Sequence, residues 1–490
     1  MRSVIKPQLQ LGEIDIANIR LDPRSRDDIP QLLRGLQYLY TDEALRTEIF
    51  AVLAQLTPAT VDPASGRPGM DLWKILVMGS LRLNLNCDYD RLLELVNNHK
   101  TIRQMLGHGV TDDELTYCLQ TLKDNVQLFT PQILDEINQI VVRAGHKLKK
   151  KDTLAARCDS FVVETDVHYP TDINLLLDAV RKTITLTADY AALTDLGGWR
   201  QSAYNCRQMK RAHRKAQQMK RSTSKDVIKK EKRQAEIVQA HRDYLDLARQ
   251  FIHKSQVTLA AIPVNFSLTA TVKALEIQTY IKHAERQVDQ IERRVIQGET
   301  IPHTEKVFSI FQPHTEWISK GKAGVPVELG LKVCVVEDTQ GYLLHHQVME
   351  QQTDNQIAID LIAQTQDRYP TLRVCSFDKG FHSPQNQIAL AKMLDRVVLP
   401  KKGRCNKQEQ ERENSDAFKA ARRTHSAVES GINALEVHGL DRCLDHGIDG
   451  FKRYVALAIV ARNIQKLGAD LQKKTRAQEK RKRDRDKRAA

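Results

Sequence analysis

Three acidic residues stand where a buried or half-buried carboxylate needs a reason. Asp159 lies inside the run RCDSFVVETDVHYPTD (157–172), in which Phe161, Val162 and Val163 are strand formers. A carboxylate in a hydrophobic strand is costly to bury unless a partner or a cation balances it. Asp378 follows VCSF, precedes Lys379-Gly380 and is bracketed by Phe377 and Phe381. Glu429 lies in RRTHSAVESGINALE, at the border of a stripe of Val428, Ile432 and Leu435 stepping by four and three. Asp166, at the far end of the first run, is the second choice for the first acid. Gathered at one place, three carboxylates repel one another, and divalent cations are the cheapest remedy. Carboxylate oxygens suit Mg²⁺, and two such ions can stabilise the attacking and the leaving oxygen of an in-line phosphoryl displacement. Asp378 follows Asp159 by 219 residues and Glu429 follows Asp378 by 51, so the fold must bring them together.

The elements that could do so are legible in part. Residues 1–150 read as helices. DLWKILVMGSLRLNL is an apolar helix with Asp71 as N-cap. DYDRLLELVNNHKTIRQMLG reads as helix, short break, helix, with Gly107 as a stop. Helix-turn-helix DNA readers have this pattern, and so do plain helical pairs. From 180 to about 300 the text is helical and charged. One narrow stripe runs through Val238, His241, Leu245, Ala248 and Ile252, and another through Ile277, Ile281, Ala284, Val288, Ile291 and Val295. With Pro263 between them, they predict an antiparallel helical hairpin, partly coiled coil, whose stripes pack on each other.

From 325 the periodicity becomes two. VELGLKVCVVED and YLLHHQV flank a turn and predict a β-hairpin. A helix around 354–367 follows, then a strand (372–377), a helix capped by Ser383 with Pro384 at its first position, and a strand (396–400). These lengths imply a right-handed βαβ unit with parallel pairing. Helices around 424–437 and 450–467 end the folded text. With the helical block set aside, this is the element order of an RNase H-like α/β core, a mixed sheet with flanking helices. In such a core the first strand lies beside the strand of Asp378, whose carboxyl end is where ligands gather on open α/β sheets.

The 490-residue chain carries a net charge of +14. Residues 206–233 hold 12 Lys/Arg against 2 acids, and residues 466–488 hold 11 against 4, so these two segments account for the whole excess. Such clustering points to a polyanion partner; a solvated helix face and a disordered tail are the alternatives. Within the first segment, Lys210, Arg211, Arg214 and Lys215 are the candidate DNA contacts, and Lys401, Lys402 and Arg404 follow a strand near the presumed site. His425, one turn before Glu429, either touches the scissile phosphate or caps a helix. His345 and His346 read as structural, and Trp317 as core rather than a base-stacking residue. No apolar run is long enough to span a bilayer, and the first residues lack the apolar stretch of a signal peptide. The eight cysteines form no CxxC pair, which argues against a disulfide framework or a zinc site and fits a reducing cytoplasm.

The blocks DSFVVETDVHYPTDINLLLDAV, FDKGFHSP and HSAVESGINALEVHGLDR resemble the three blocks of bacterial insertion-sequence DDE transposases, most closely the ISNCY group, and LWKILVMGSLRL resembles their N-terminal helical region. The resemblance covers most of the chain and implies the following. Asp159, Asp378 and Glu429 are the catalytic and metal-binding triad; Mg²⁺, as two ions with Mn²⁺ as a substitute, is the cofactor. The chain cuts the ends of an element and joins them to target double-stranded DNA, as a homodimer or larger assembly, in the bacterial cytoplasm at the nucleoid. Where some related transposases carry a tyrosine, an arginine and a lysine around the glutamate, this sequence has Arg422, His425 and Glu436. The expected organisation is a helical DNA-binding region (1–150), a catalytic domain (151–180 and 301–463), a helical insertion (181–300) and a basic tail (464–490). A nuclease on the same fold that never joins DNA, and a non-catalytic DNA-binding coiled-coil protein, are the rival readings.

Overall fold

Alternating and β-branched residues make the run from Leu154 to Thr165 a single long strand, β1, with Asp159 near its middle. In the computed structural model the described residues are all except 1, 6, 7, 10, 11, 59–68, 110–115, 150–152, 262–266, 320–325 and 490. They form two units: one of Met1–Asp166 with Glu316–Ala490, the other of Val167–Thr315.

The first unit contains a mixed sheet. Its further strands are β2 (Glu316–Ser319), β3 (Val327–Asp338), β4 (Leu343–Met349), β5 (Leu372–Phe377), β6 (Arg396–Val398) and β7 (Arg442–Cys443). The order along the sheet is β2-β3-β1-β5-β6, with β4 also on β3 and β7 also on β1. β3 and β4 are the expected hairpin, antiparallel from Lys332 opposite Met349 to Glu337 opposite Leu343. Gly341 closes its turn at φ +86°, a left-handed conformation that glycine adopts without cost. β5 and β6 run parallel, as the βαβ reading requires. β1 pairs antiparallel with β3 and parallel with β5.

Before the sheet come α1 (Asp28–Thr41), α2 (Glu43–Ala54), α3 (Leu72–Asn84), α4 (Tyr89–Asn98), α5 (Lys100–Met105), α6 (Leu119–Val126) and α7 (Pro131–Leu148). Asp71 is the N-cap of α3, but its carboxylate accepts from the Ser3 hydroxyl (2.7 Å) instead of a helix amide. The α4–α5 pair breaks at His99, whose ring accepts from the Ile102 amide (3.3 Å). These helices do not stand apart from the sheet. α7 packs on β4 and shares one hydrophobic core with it. The Asn138 amide donates to the Leu343 carbonyl (3.0 Å), which ties the two together.

The second unit is a helical bundle of α8 (Asp172–Leu193), α9 (Ser202–Gln218), α10 (Val227–Ala260) and α11 (Leu268–Ile291). Here the hairpin expectation needs correction. α11 packs most extensively on α8 and less on α10, and α9 packs on both α8 and α10. Two stripes at heptad spacing are too narrow to close a core by themselves, so two further helices complete it. On α10 the buried face accordingly widens to Ile237, His241, Tyr244, Leu245, Ala248, Phe251 and Ile252, leaving Val238 at its border. The bundle also begins before residue 181, because α8 is one of its members. Pro263 lies outside the described residues.

After the sheet's hairpin come α12 (Asp354–Arg368), α13 (Pro384–Met393), α14 (Lys407–Asn414), α15 (Asp416–His425), α16 (Ala427–Leu435) and α17 (Gly447–Ala489). The start of α13 is as expected, with Ser383 accepting from the Asn386 amide (3.0 Å) and Pro384 at the first position. The tail at 464–490 needs a second correction. It is the continuation of α17, and its first turns are core: Ile464 and Leu467 are fully buried and α17 packs along α1. The Arg476 guanidinium still reaches back to the Pro23 carbonyl. Further on, every residue from Lys480 to Lys487 is charged and exposed.

Candidate active site

The site is built where β5 stops beside β1. Parallel register pairs Cys158 with Phe377, so the next residue on each strand is an acid, Asp159 on β1 and Asp378 just past β5. β7 rejoins the same edge of β1 only at Glu164 and Thr165. Among the described residues, the stretch of β1 between these two neighbours has no strand partner on that side. The Ser160 amide donates there to Asp159 Oδ1 (2.8 Å).

Alternation along β1 puts Arg157 and Asp159 on one face and Cys158 and Ser160 on the other. α15 and α16 lie over the first of these faces. His425, at the end of α15, shares a hydrogen bond between Nδ1 and Ser376 Oγ (2.9 Å), and Ser376 is the register partner of Arg157. Gly431 of α16 lies against Glu337; a Cβ there would stand 2.7 Å from Glu337 Oε1. That close approach lets α16 settle on the sheet, with Val428 and Leu435 buried and Glu429, in its first turn, exposed. Glu337 itself is buried beside Arg157 (3.5 Å), and burial pushes its carboxyl up to about 7.

Electrostatics link the acids. Asp159 is pushed up to about 6, first by burial and then by the charges of Asp378, Asp354 and Glu429, against the opposing Ser160 hydrogen bond. Burial holds His425 below its ordinary range, while Asp378 and Glu429 pull it upward. Asp378 and Glu429 are exposed, so the mouth of the site is open to a large ligand. Asp166 is elsewhere. Seven residues along an extended chain is about 23 Å, and Asp166 is exposed near Arg442 (3.7 Å).

The other candidates fall in several places. Lys401 lies beyond β6, one strand further out than Asp378, with its ammonium on Glu409 (2.6 Å). Lys402 and Arg404 are exposed. Lys210, Arg211, Arg214 and Lys215 belong to the helical bundle, all exposed on α9, with Lys215 paired to Asp243 (2.7 Å). His345 and His346 are held neutral by burial, at about 3 and about 4, and His345 meets Arg368 (2.6 Å). Trp317 is half-buried on β2 opposite Leu329. One neighbour escaped the sequence reading. Asp354 opens α12, and its only visible signal, an acid in a helix's first turn, is too common to mark a site.

Residues 290–464 match the family model described as Transposase DDE domain. The match supports a DDE-type transposase. It takes in Asp354, Asp378 and Glu429 and leaves out β1 with Asp159. Such a domain implies an RNase H-like fold, with which the mixed sheet and flanking helices agree, and an enzyme acting on DNA. No curated protein and no solved structure matches the chain. No helix among the described residues is long and apolar enough to cross a membrane.

DDE transposase domains generally use divalent metals. Among the described residues no three His, Cys, Asp or Glu side chains are drawn close enough to hold an ion as they stand. The donor chemistry nevertheless fits. The acids offer hard carboxylate oxygens, and the charged form of Asp159, disfavoured by burial and then by its acidic neighbours, would be favoured by a bound cation.

Proposed function

We propose that this chain is an insertion-sequence transposase that cuts DNA at the ends of its element and joins the freed ends to target DNA. The observation that carries the reading is the pairing of Cys158 with Phe377, which sets two acids side by side with Glu429 in electrostatic reach. Asp159, Asp378 and Glu429 would hold the metal. Bound there, two Mg²⁺ ions, or Mn²⁺ in their place, supply water activation and charge stabilisation for in-line displacement at phosphorus. In the first step water attacks the scissile phosphate and the P–O3′ bond breaks, leaving a 3′-hydroxyl on the element. In the second that hydroxyl attacks a target phosphate and displaces the target's own 3′-oxygen. His425, fixed by Ser376 beside Glu429, would face the scissile phosphate. Lys401 and Lys402 would contact phosphates nearby.

The α9 face of Lys210, Arg211, Arg214 and Lys215 would carry further phosphate contacts. Replacing Lys210, Arg211 and Arg214 together by Gln should flatten the dependence of log affinity on log salt by roughly 2–3 units, since each phosphate contact releases about 0.9 counterion. Lys215→Gln should do less, because Asp243 already engages that ammonium (2.7 Å). A slope unchanged in the triple variant would reduce this face to a solvated helix surface.

Two ends must be held together for joining, so the active species is a dimer or larger on DNA. The reading places the protein in the bacterial cytoplasm, at the nucleoid, in the ISNCY group. Its test is a duplex carrying the inverted repeats that flank the gene, incubated with Mg²⁺ and a plasmid. Nicking at the repeat ends followed by covalent joining to the plasmid is expected. Nicking without joining would leave a nuclease on the same fold, and binding without nicking a non-catalytic DNA-binding protein.

A further inference from the structure

Asp354 has a more specific place than its position in a helix's first turn requires. Thr353 already caps α12, in a reciprocal capping box with Gln356, so the Asp354 carboxylate is free for other partners. Both of its oxygens are committed. Oδ1 accepts from the Ser160 hydroxyl (2.6 Å), and Oδ2 accepts from the Lys332 ammonium of β3 (3.2 Å). The same Oδ2 lies against the turn that follows Asp378: a Cβ at Gly380 would stand 2.9 Å from it. One side chain thus touches the residue after Asp159, the strand on the far side of β1, and the turn after Asp378. These are the parts whose relative position sets the gap between the two acids, at the place where β1 and β5 cease to be hydrogen-bonded.

We propose that Asp354 is a positioning residue, bracing β1 at Asp159 against the Lys379–Phe381 turn at Asp378. The inference rests on the reading of Asp159 and Asp378 as metal-holding acids. Lys332 balances the charge that this brace brings to an already acidic place, which permits a carboxylate there rather than a neutral side chain. The brace lies on the sheet face opposite to Arg157 and Asp159, so it can fix the strand without occupying the space where substrate enters.

The test uses the full chain and Mn²⁺ alone, followed by calorimetry or by electron paramagnetic resonance, with DNA nicking as a second readout. Asp354→Ala and Ser160→Ala should each weaken Mn²⁺ binding and slow nicking by roughly 10- to 100-fold, the usual effect of removing a partner that orients a metal ligand. DNA affinity and the melting temperature without metal should stay near those of the parent. Ser160→Thr keeps the hydroxyl and should bind Mn²⁺ like the parent. If Asp354→Ala does not fold, Ser160→Ala carries the test, since it removes one hydroxyl. Parent-like Mn²⁺ binding in Ser160→Ala and Asp354→Ala, with binding lost in Asp159→Asn, would overturn the brace and leave the functional reading standing. Parent-like binding and nicking in Asp159→Asn as well would overturn both.

Discussion

Asp378→Asn is expected to reduce end cleavage by about a thousandfold or more, and Asp159→Asn and Glu429→Gln should do the same. Each change removes one negative charge at nearly constant shape. A metal-assisted displacement draws several kcal/mol of its stabilisation from ions held by such ligands, and every 1.36 kcal/mol is a factor of ten in rate. The three losses should not add, because the ligands act as a unit and the first removal already dismantles it. DNA affinity should survive, since the proposed phosphate contacts come from Lys, Arg and His side chains and not from the three acids. Asp166→Asn should cut at close to the parent rate, because Asp166 is exposed beside Arg442 at the far end of β1. Single-turnover nicking of an end-bearing duplex at fixed Mg²⁺ measures all four. A dead Asp166→Asn beside an active Asp159→Asn would mean that the first acid is misassigned.

Gly468→Ala should destabilise the unit that contains the sheet by about 3 kcal/mol. α1 and α17 cross with their backbones in contact. A Cβ on Gly468 would fall well inside van der Waals contact distance of the Gln31 carbonyl oxygen, and one on Gly35 would do the same to the Ile464 carbonyl oxygen. Backbone atoms of two long packed helices cannot step aside as the end of a flexible side chain can. Helix propensity pulls the other way, favouring Ala over Gly by about 1 kcal/mol, so the sign of the change decides between the two effects. The midpoint of denaturant unfolding, followed by tryptophan fluorescence from Trp73 in the buried core, reports it. A midpoint that rises would mean that α17 does not lie against α1 and that the chain beyond 463 is the free tail its composition suggests.

That tail illustrates what local sequence can and cannot carry. The strands and caps around Asp378 were legible because their signals are short-range. Alternation marked β3, the β-branched run marked β1, and Ser383 with Pro384 marked the start of α13. The continuation of α17 was not legible, because the partner that buries Ile464 and Leu467 lies more than four hundred residues earlier, on α1. The bundle failed in a related way. The stripes on α10 and α11 gave the right faces, but a stripe does not name the helix it meets, and α8 proved the larger partner of α11.

The acids show the same division. Asp159 could be singled out because a charge in a strand violates the local pattern, and Asp378 because phenylalanines flank it. Glu429 obeys the helix pattern at its border and gained weight only in company with the other two. Asp354 violates nothing locally. Its contacts with Ser160, Lys332 and the Gly380 turn exist only once β1, β3 and β5 are side by side.

On the proposed reading, Asp159 on β1, Asp378 past the end of β5 and Glu429 in the first turn of α16 together hold the divalent metal. Iron-directed cleavage tests it without reference to turnover. Fe²⁺ in place of Mg²⁺, with ascorbate and peroxide, generates radicals that cut the polypeptide next to wherever the ion sits. The account predicts cuts near 159, 378 and 429, suppressed by excess Mg²⁺ and lost in Asp378→Asn, with none near 166. Cuts confined to other segments, or a pattern untouched by Asp378→Asn, would contradict it.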